Sequence, residues 1–259
     1  NGAGTVFFTG CPLGCVYCQN HNIADGSRGT ALTSGQLTDV FLRLQDLGAH
    51  NIDLVTPTHF VPQIVPAMER AKAHGLRIPV VYNTGTYETV DTLRMLEGLV
   101  DVWLPDVKYV SPELSARYSD APDYFDVAAA ALEEMVRQAP ACVFDDAGLM
   151  IRGVLVRHLV LPGCTEDSKA VLKYLYETYG DRVWLSIMSQ FTPVRPAEGL
   201  DRPLTRAEYD AVVDFATDLG ISNAFVQEGE AASESFIPDF EHFDLEAFLS
   251  RETTLHPKA

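Results

Sequence analysis

The chain has 259 residues, of which 36 are acidic and 19 are basic, and its formal net charge is −17. A nucleic-acid-binding protein needs a basic surface to neutralise phosphates, so this charge counts against a tRNA- or rRNA-modifying enzyme, and we expect no nucleic-acid partner. No apolar run approaches the ~20 residues that cross a bilayer, so we expect no membrane partner either.

Strand and helix patterns alternate along the chain. Apolar runs predict strands at 5–9, 52–55, 78–82, 100–104, 154–161 and 183–188, with a short final strand at 223–227. Capping boxes at Thr33-x-x-Gln36 and Thr205-x-x-Glu208 each predict a helix start, and Thr165 is expected to cap a third helix. Further helices are predicted at 62–74, 88–96, 111–119 and 125–138, and loops at 20–30 and 139–148.

Six βα units with short connections predict a parallel sheet covered by helices, but they are too few for a closed eight-stranded barrel. No linker or repeat divides the chain, so we predict one core domain over residues 1–228. The remaining residues, 229–259, are predicted to form a tail that packs on the core or extends it. In such folds the functional residues follow the carboxyl ends of the strands.

Three cysteines follow the first predicted strand at C-x3-C-x2-C spacing: Cys11, Cys15 and Cys18. Three thiolates so close in sequence can meet at one metal centre, one short of the four that a closed zinc site or an all-cysteine cluster requires. A zinc site completed by His21 and three unrelated buried cysteines are the alternatives. Five cysteines is an odd number, which argues against a disulfide framework and favours a reducing, cytoplasmic compartment. The chain begins at Asn1 without a visible signal peptide, so we expect a processed or trimmed product.

This cysteine motif after the first strand of a βα protein resembles the radical S-adenosylmethionine (SAM) superfamily. The resemblance implies an α/β fold, a partial (β/α)6 barrel in a single domain. It also implies that the three cysteines hold a [4Fe–4S] cluster whose fourth iron is chelated by SAM. Reductive cleavage of SAM would then give a 5′-deoxyadenosyl radical that abstracts a hydrogen atom from the substrate. A one-electron donor such as flavodoxin or ferredoxin would be the partner.

The resemblance also assigns roles to residues after the strands. Tyr17 would pack near the adenine, although a core-filling aromatic is the alternative. After the second strand the chain lacks the Gly-Gly-Glu type of segment common in the family, so Thr56 and Thr58 are candidates to bind SAM instead. His59 is a candidate acid or base, or the cap of a turn.

Further cofactor-binding residues follow the later strands. The polar turn after the third strand supplies Asn83 and Thr84, which would bind the ribose and carboxylate of SAM. Asp106 and Lys108 lie two apart and so face the same side of their strand. A sulfonium, a carboxylate or a bound monovalent cation would be their partner, and a buried pair without a ligand is the competing interpretation.

Arg157 and His158 are neighbours in the predicted strand 154–161, so their side chains point to opposite faces and cannot both face inward. We predict that Arg157 faces inward, as a clamp for the carboxylate of SAM. Gln190 is a further candidate for the adenine or ribose. We expect Cys142 and Cys164 to be ordinary thiols, with a hydrogen-atom relay as the alternative for Cys164.

The Asp-x-Lys segment resembles the activating enzymes of glycyl radical enzymes, a branch that looks like pyruvate formate-lyase activating enzyme and its uncharacterised Fe–S relatives. The first hypothesis is therefore hydrogen abstraction from a glycine of a partner enzyme, favoured by a compact chain without an evident auxiliary domain. The second is a small-molecule or peptide substrate. The third, from another class, is a non-catalytic metal or Fe–S binding protein.

Overall fold

Seven parallel strands form an open, barrel-like sheet. The computed structural model describes residues 2–193, 195, 197–227 and 244–250. The strands are β1 (Gly4–Phe7), β2 (Ile52–Val55), β3 (Val80–Thr84), β4 (Val102–Pro105), β5 (Val143–Phe144), β6 (Met150–Leu159), β7 (Trp184–Met188) and β8 (Ala224–Val226). Their order is β1-β2-β3-β4-β6-β7-β8, and β5 pairs antiparallel with β6. Within the described residues β1 and β8 are edges that do not pair with each other, so the barrel stays open.

Helices connect the strands and cover the outer face of the sheet. They are α1 (His21–Ala24), α2 (Ser34–Asp46), α3 (Val61–Ala73), α4 (Val90–Arg94), α5 (Pro112–Ser119), α6 (Tyr124–Gln138), α7 (Thr165–Tyr179), α8 (Arg206–Asp218) and α9 (Leu245–Ser250). Short 3-10 turns lie at Thr58–Phe60 and Gly180–Arg182. No helix in the described ranges is long and apolar enough to cross a membrane.

The fold class is confirmed, and the differences from the sequence prediction are local. Both capping boxes form, at the starts of α2 and α8. The predicted loop at 139–148 contains β5 and the loop at 20–30 contains α1; these elements of two and four residues are too short to show a period. Thr165 is the first residue of α7 rather than its cap, and Cys164 at the N-cap makes no capping hydrogen bond.

The core lies between the sheet and the helices. All of β3 is buried, and the largest fully buried side chains of the neighbouring strands include Ile52, Leu54 and Trp103. Each fully buried side chain of this kind stabilises the fold by roughly 1.5–3 kcal/mol. A second, smaller group of buried residues, which we call the aromatic cluster, lies under the cysteine loop and contains Tyr17, Tyr109, Tyr118, Tyr124 and Phe191.

The parallel register is shortest at the junction of β4 and β6. Only Val102 and Trp103 of β4 are in register with β6, opposite Gly153 and Val154, although Asp106 forms one further bridge to β6. Gly153 has φ +139°, and a Cβ there would lie 2.8 Å from Cys142 Cα. Only glycine allows this close approach without strain, which explains why β5 can fold back over the junction.

The predicted tail is described only in part. Residues 228–243 and 251–259 lie outside the described residues, so the boundary at 228 and most of the tail stay a prediction. Helix α9, which belongs to the predicted tail, packs against α2 of the core.

His158 on β6 is buried and neutral in the folded protein. Its Nδ1 donates to the carbonyl oxygen of Val107 at 2.8 Å, and its Nε2 has no hydrogen-bond partner among the described residues. Burial lowers the pKa of His158 to about 4, although the hydrogen bond to Val107 and the charge of Asp106 oppose this shift. A proton on Nε2 would place an unpartnered charge in the core.

We therefore predict that His158 makes the fold acid-sensitive between pH 6.5 and 4. The unfolded chain binds the proton below about pH 6.5 and the folded chain does not, so stability is lost as the pH falls through this window. Between pH 7 and pH 5 the wild type should lose about 2 kcal/mol of unfolding free energy more than His158→Gln. Urea unfolding at both pH values measures this difference, and equal losses in the two proteins would contradict it.

Candidate active site at the cysteine loop

A cavity of about 390 Å³ opens at the carboxyl ends of the strands, a size typical of small-ligand sites. Side chains from the cysteine loop and from the ends of most strands line it. Those with polar or ionisable groups include Cys11, Cys15, Cys18, Tyr17, Gln19, Asp53, Thr56, Asn83, Thr84, Asp106, Lys108, Arg157 and Gln190. Most of the predicted site residues are therefore brought together, while Thr58 does not line the cavity.

The cysteine loop is held in place by backbone contacts with the end of α5. The amides of Gly14 and Val16 donate to the carbonyl oxygens of Ser119 and Tyr118 at 3.1 and 2.9 Å. Leu13 closes the other side, since a Cβ on Gly85 of the loop after β3 would lie 2.9 Å from Leu13 Cδ1. Glycine at this position lets the cysteine loop approach the strand ends.

The three thiols share the cavity without meeting at one point. Among the described residues no three His, Cys, Asp or Glu side chains are grouped as ligands of a single metal ion. A [4Fe–4S] cluster spreads its thiolates over separate irons, so this arrangement fits a cluster.

Burial raises the pKa of Cys11 and of Cys18, the latter to about 11, and the charge of Cys15 adds to both shifts. Thiolates in this cavity need nearby positive charge, which a metal centre supplies. His21, the alternative zinc ligand, donates from Nδ1 to the Cys18 carbonyl oxygen at 3.2 Å.

An ion-pair network crosses the cavity floor from β4 to β6. Asp106 lies 3.0 Å from Lys108 Nζ and 2.8 Å from Arg157 Nη2, and Arg157 also donates to Asn83 Oδ1 at 2.6 Å. The Asp106–Lys108 ion pair, which was the competing interpretation, is therefore present, and Arg157 is a second cation beside Asp106. Burial opposes ionisation of Asp106, but Arg157 and Lys108 outweigh it and lower its pKa.

The same network keeps Lys108 charged. Burial lowers the pKa of Lys108, but the charges of Asp106 and of the neighbouring Cys15 raise it well above its usual value. Two cations then face one carboxylate, so the network carries a net positive charge that can receive a carboxylate ligand. Arg157 faces this cavity and His158 faces away from it, as alternation along the strand predicts.

Sequence reasoning missed Glu88, which connects the loops after β2 and β3. Its buried carboxylate accepts from Tyr82 Oη at 2.6 Å, from Thr58 Oγ1 at 3.0 Å and from the hydroxyl of Thr84. Burial raises the pKa of Glu88, and these three hydrogen bonds oppose the shift. Thr58, a candidate SAM contact, thus bonds to Glu88 and does not line the cavity. Tyr82 and Thr84 lie on β3 a few residues before Glu88, whereas Thr58 is 30 residues away, so the sequence alone does not show the complete group.

Two threonines in these loops have left-handed backbone conformations. Thr56 has φ 56° and Thr86 has φ 64°, values that are rare for β-branched residues. The Thr56 amide donates to the Asn83 carbonyl oxygen at 2.8 Å, which joins the two loops. Strained backbone of this kind concentrates at ligand-binding loops, where the surrounding structure holds it.

Asp53 is a second residue that sequence reasoning missed. It lies on β2, faces the cavity, and has one carboxylate oxygen without a hydrogen-bond partner in the described structure. Burial raises the pKa of Asp53, while Arg157 and the Asn83 side chain oppose the shift. The alternation of β2 would have placed Asp53 on the same face as Val55, which also lines the cavity.

The other predicted residues have the following positions. Tyr17 lines the cavity, and its ring lies edge-on to Phe191 with 6.3 Å between centroids. Gln190 lines the cavity at the end of β7. His59 donates from Nε2 to the Thr9 carbonyl oxygen at 2.7 Å. It does not line the cavity, and this position agrees with a residue that fixes a turn rather than with an acid or base of the site.

The two remaining cysteines lie away from the cavity. Cys164 is buried at the start of α7 in the aromatic cluster, and Cys142 contacts Gly153 beneath the β4–β6 junction. Neither is among the residues that line the cavity.

Residues 5–175, more than half of the chain, match the radical SAM superfamily. The chain belongs to the radical SAM superfamily. Membership of this enzyme superfamily implies a [4Fe–4S] cluster and SAM as its cofactors. The cavity places three thiols beside the network of Asp106, Lys108 and Arg157, which is compatible with both groups.

Several proteins are similar to this chain in sequence or in structure, all at low identity. An uncharacterized protein of Methanocaldococcus jannaschii is 26% identical over 224 residues, which is 82% of this chain and 61% of that protein. Streptococcus suis SuiB bound to S-adenosylmethionine superposes with a TM-score of 0.62 at 13% identity, over 87% of this chain and 50% of that one. The FeFe-hydrogenase maturase HydG from Carboxydothermus hydrogenoformans superposes with a TM-score of 0.57 at 13% identity, over 96% of this chain and 56% of that one. The chain thus spans half to three-fifths of the length of these relatives.

We predict that Glu88→Gln weakens SAM binding about tenfold, because an amide cannot accept hydrogen bonds from all three hydroxyls and the two loops separate. Calorimetry on the reconstituted protein measures the dissociation constant. Glu134→Gln is the matched control, since Glu134 is also buried and accepts from Arg137 and Gln138, but it lies on α6 away from the cavity. Equal SAM affinity in the two variants would show that Glu88 does not shape the site.

Proposed function

We propose that this radical SAM enzyme activates a partner protein by abstracting a hydrogen atom from one of its glycines. Cys11, Cys15 and Cys18 hold the cluster in this proposal. The observation that carries the proposal is that the three thiols line the same cavity as the Asp106–Lys108 pair. The Asp-x-Lys segment is the feature that resembles activating enzymes of glycyl radical enzymes. When bound, the cluster supplies the electron that cleaves SAM, and the adenosyl fragment takes the hydrogen atom from the substrate.

The charges of the cavity favour a defined orientation of SAM. Lys108 and Arg157 attract its carboxylate, and Asp106 lies between them and balances part of their charge. Asn83 and Thr84 at the end of β3 supply an amide and a hydroxyl for the ribose, as donors and acceptors suited to a diol. Gln190 and Tyr17 also line the cavity, with Lys108 Nζ 5.9 Å from the centre of the Tyr17 ring, and a base can pack against this ring.

The second candidate is a small-molecule or peptide substrate. Streptococcus suis SuiB bound to its precursor peptide SuiA superposes on this chain with a TM-score of 0.61 at 14% identity. That similarity concerns the fold, which is known to carry different functions, so it keeps a peptide substrate as the alternative. The third candidate, a cluster or zinc protein without catalysis, differs from both in releasing no 5′-deoxyadenosine.

We predict that the reconstituted and reduced protein forms 5′-deoxyadenosine from SAM and generates a glycyl radical on a suitable partner enzyme. Chromatography measures 5′-deoxyadenosine, and electron paramagnetic resonance detects the radical after incubation with candidate glycyl radical enzymes. Alanine at Cys11, Cys15 or Cys18 should abolish both signals, because each substitution removes one thiolate ligand.

Matched controls come from the two cysteines outside the cavity. Cys142→Ala and Cys164→Ala should keep the iron, the sulfide and the release of 5′-deoxyadenosine. Release of 5′-deoxyadenosine without a glycyl radical on any partner would favour the small-molecule or peptide substrate. A wild type that binds only zinc and releases nothing would support the third candidate.

A further inference from the structure

A chain of hydroxyl groups runs from the aromatic cluster to one of the three motif cysteines. Tyr109 Oη donates to Tyr17 Oη at 2.7 Å and lies 3.0 Å from Ser119 Oγ, which in turn lies 3.0 Å from Cys15 Sγ. Ser119 is fully buried at the last position of α5, and Tyr109 is 1% exposed. Burial excludes water as a competing partner, so these hydroxyls bond to one another and to the thiol.

The direction of this chain depends on the state of Cys15. A hydroxyl has one proton and can donate or accept, and both Ser119 contacts have distances at which either atom can donate. A thiol can donate to Ser119, and the Ser119 and Tyr109 protons then point away from the sulfur. A metal-bound thiolate can only accept. Rotation of the hydroxyls then turns every proton toward the sulfur, with Tyr17 donating to Tyr109, Tyr109 to Ser119 and Ser119 to Cys15.

We propose that Ser119, supported by Tyr109 and Tyr17, donates a hydrogen bond to the Cys15 thiolate and thereby raises the reduction potential of the cluster. This inference rests on the proposed function, in which Cys15 is a cluster ligand. The reduced cluster carries one more negative charge than the oxidised cluster. A donor aimed at a ligand sulfur therefore stabilises the reduced form more than the oxidised form.

The same hydrogen bond fixes the position of Cys15. The carbonyl oxygen of Ser119 accepts from Gly14 and its hydroxyl contacts Cys15, so one residue holds both the backbone and the side chain of the loop. Charge–dipole hydrogen bonds of this type are about twice as strong as neutral ones. Ser119 is thus a positioning residue that acts on the reaction through the cluster, and the cluster's potential is the property it should change.

The test is a redox titration of the reconstituted full chain without SAM, followed by electron paramagnetic resonance of the reduced cluster. Ser119→Ala should lower the equilibrium constant for one-electron reduction about tenfold, which shifts the potential 59 mV in the negative direction. Tyr109→Phe leaves the Ser119 hydroxyl in place but removes the donor behind it, so it should give a smaller negative shift.

Ser115→Ala is the matched control. Ser115 lies one turn earlier in α5, is also buried, and its hydroxyl donates to the Pro112 carbonyl oxygen rather than to the cysteine loop. It should leave the potential unchanged. A loaded Ser119→Ala protein with the potential of wild type or of Ser115→Ala would overturn the inference and leave the proposed function standing.

Two further outcomes also decide the matter. If Ser119→Ala takes up no cluster, Tyr109→Phe replaces it: a negative shift supports the inference and an unchanged potential overturns it. A wild type that takes up no cluster would overturn the proposed function together with this inference. Iron and sulfide analysis of each protein distinguishes these cases from a change in potential.

Discussion

The Asp106 carboxylate lies at the junction of β4 and β6, and the candidate site depends on it. Strands β4 and β6 are in register at only two residue pairs, and Asp106 continues their contact through a bridge and an ion pair with Arg157. The Asp106 amide also donates to the Thr84 carbonyl oxygen at 2.8 Å, which ties it to β3. With a fifth of its side chain exposed, Asp106 is available both to the network and to a ligand. Without this carboxylate, Lys108 and Arg157 would face each other as like charges.

The cysteine loop adds a second requirement, namely positive charge near buried thiols. Burial disfavours the thiolates of Cys11 and Cys18, whose pKa values are both raised, so a metal centre and the Lys108 cation are what make them usable as ligands. The end of α5 holds the loop over the strand ends, and Gly85 lets Leu13 approach. The fold therefore brings the cysteine loop and the charged residues Asp106, Lys108 and Arg157 to one cavity.

The sequence predicts the parts of this arrangement that follow from local periodicity. Apolar runs located the parallel strands, and the two-residue period of β6 separated Arg157 from His158. Asp106 and Lys108 form the expected pair, although β4 ends at Pro105 and both lie beyond it. Contacts between distant segments could not be derived in this way. Asp106 and Arg157 are 51 residues apart, and Cys15 and Ser119 are 104 apart. Glu88 was missed because Thr58 is 30 residues away, and because nothing in the sequence shows that Tyr82 and Thr84, six and four residues away, direct their hydroxyls at its carboxylate.

In the proposed function, three cysteines hold a cluster with one iron left free to bind SAM. Mössbauer spectroscopy of protein reconstituted with ⁵⁷Fe, recorded before and after addition of SAM, tests this claim most directly. We expect the spectrum of a [4Fe–4S] cluster in which one iron site differs from the others and changes when SAM is added. A cluster whose four irons are unaffected by SAM, or a protein that binds no iron, would contradict the account.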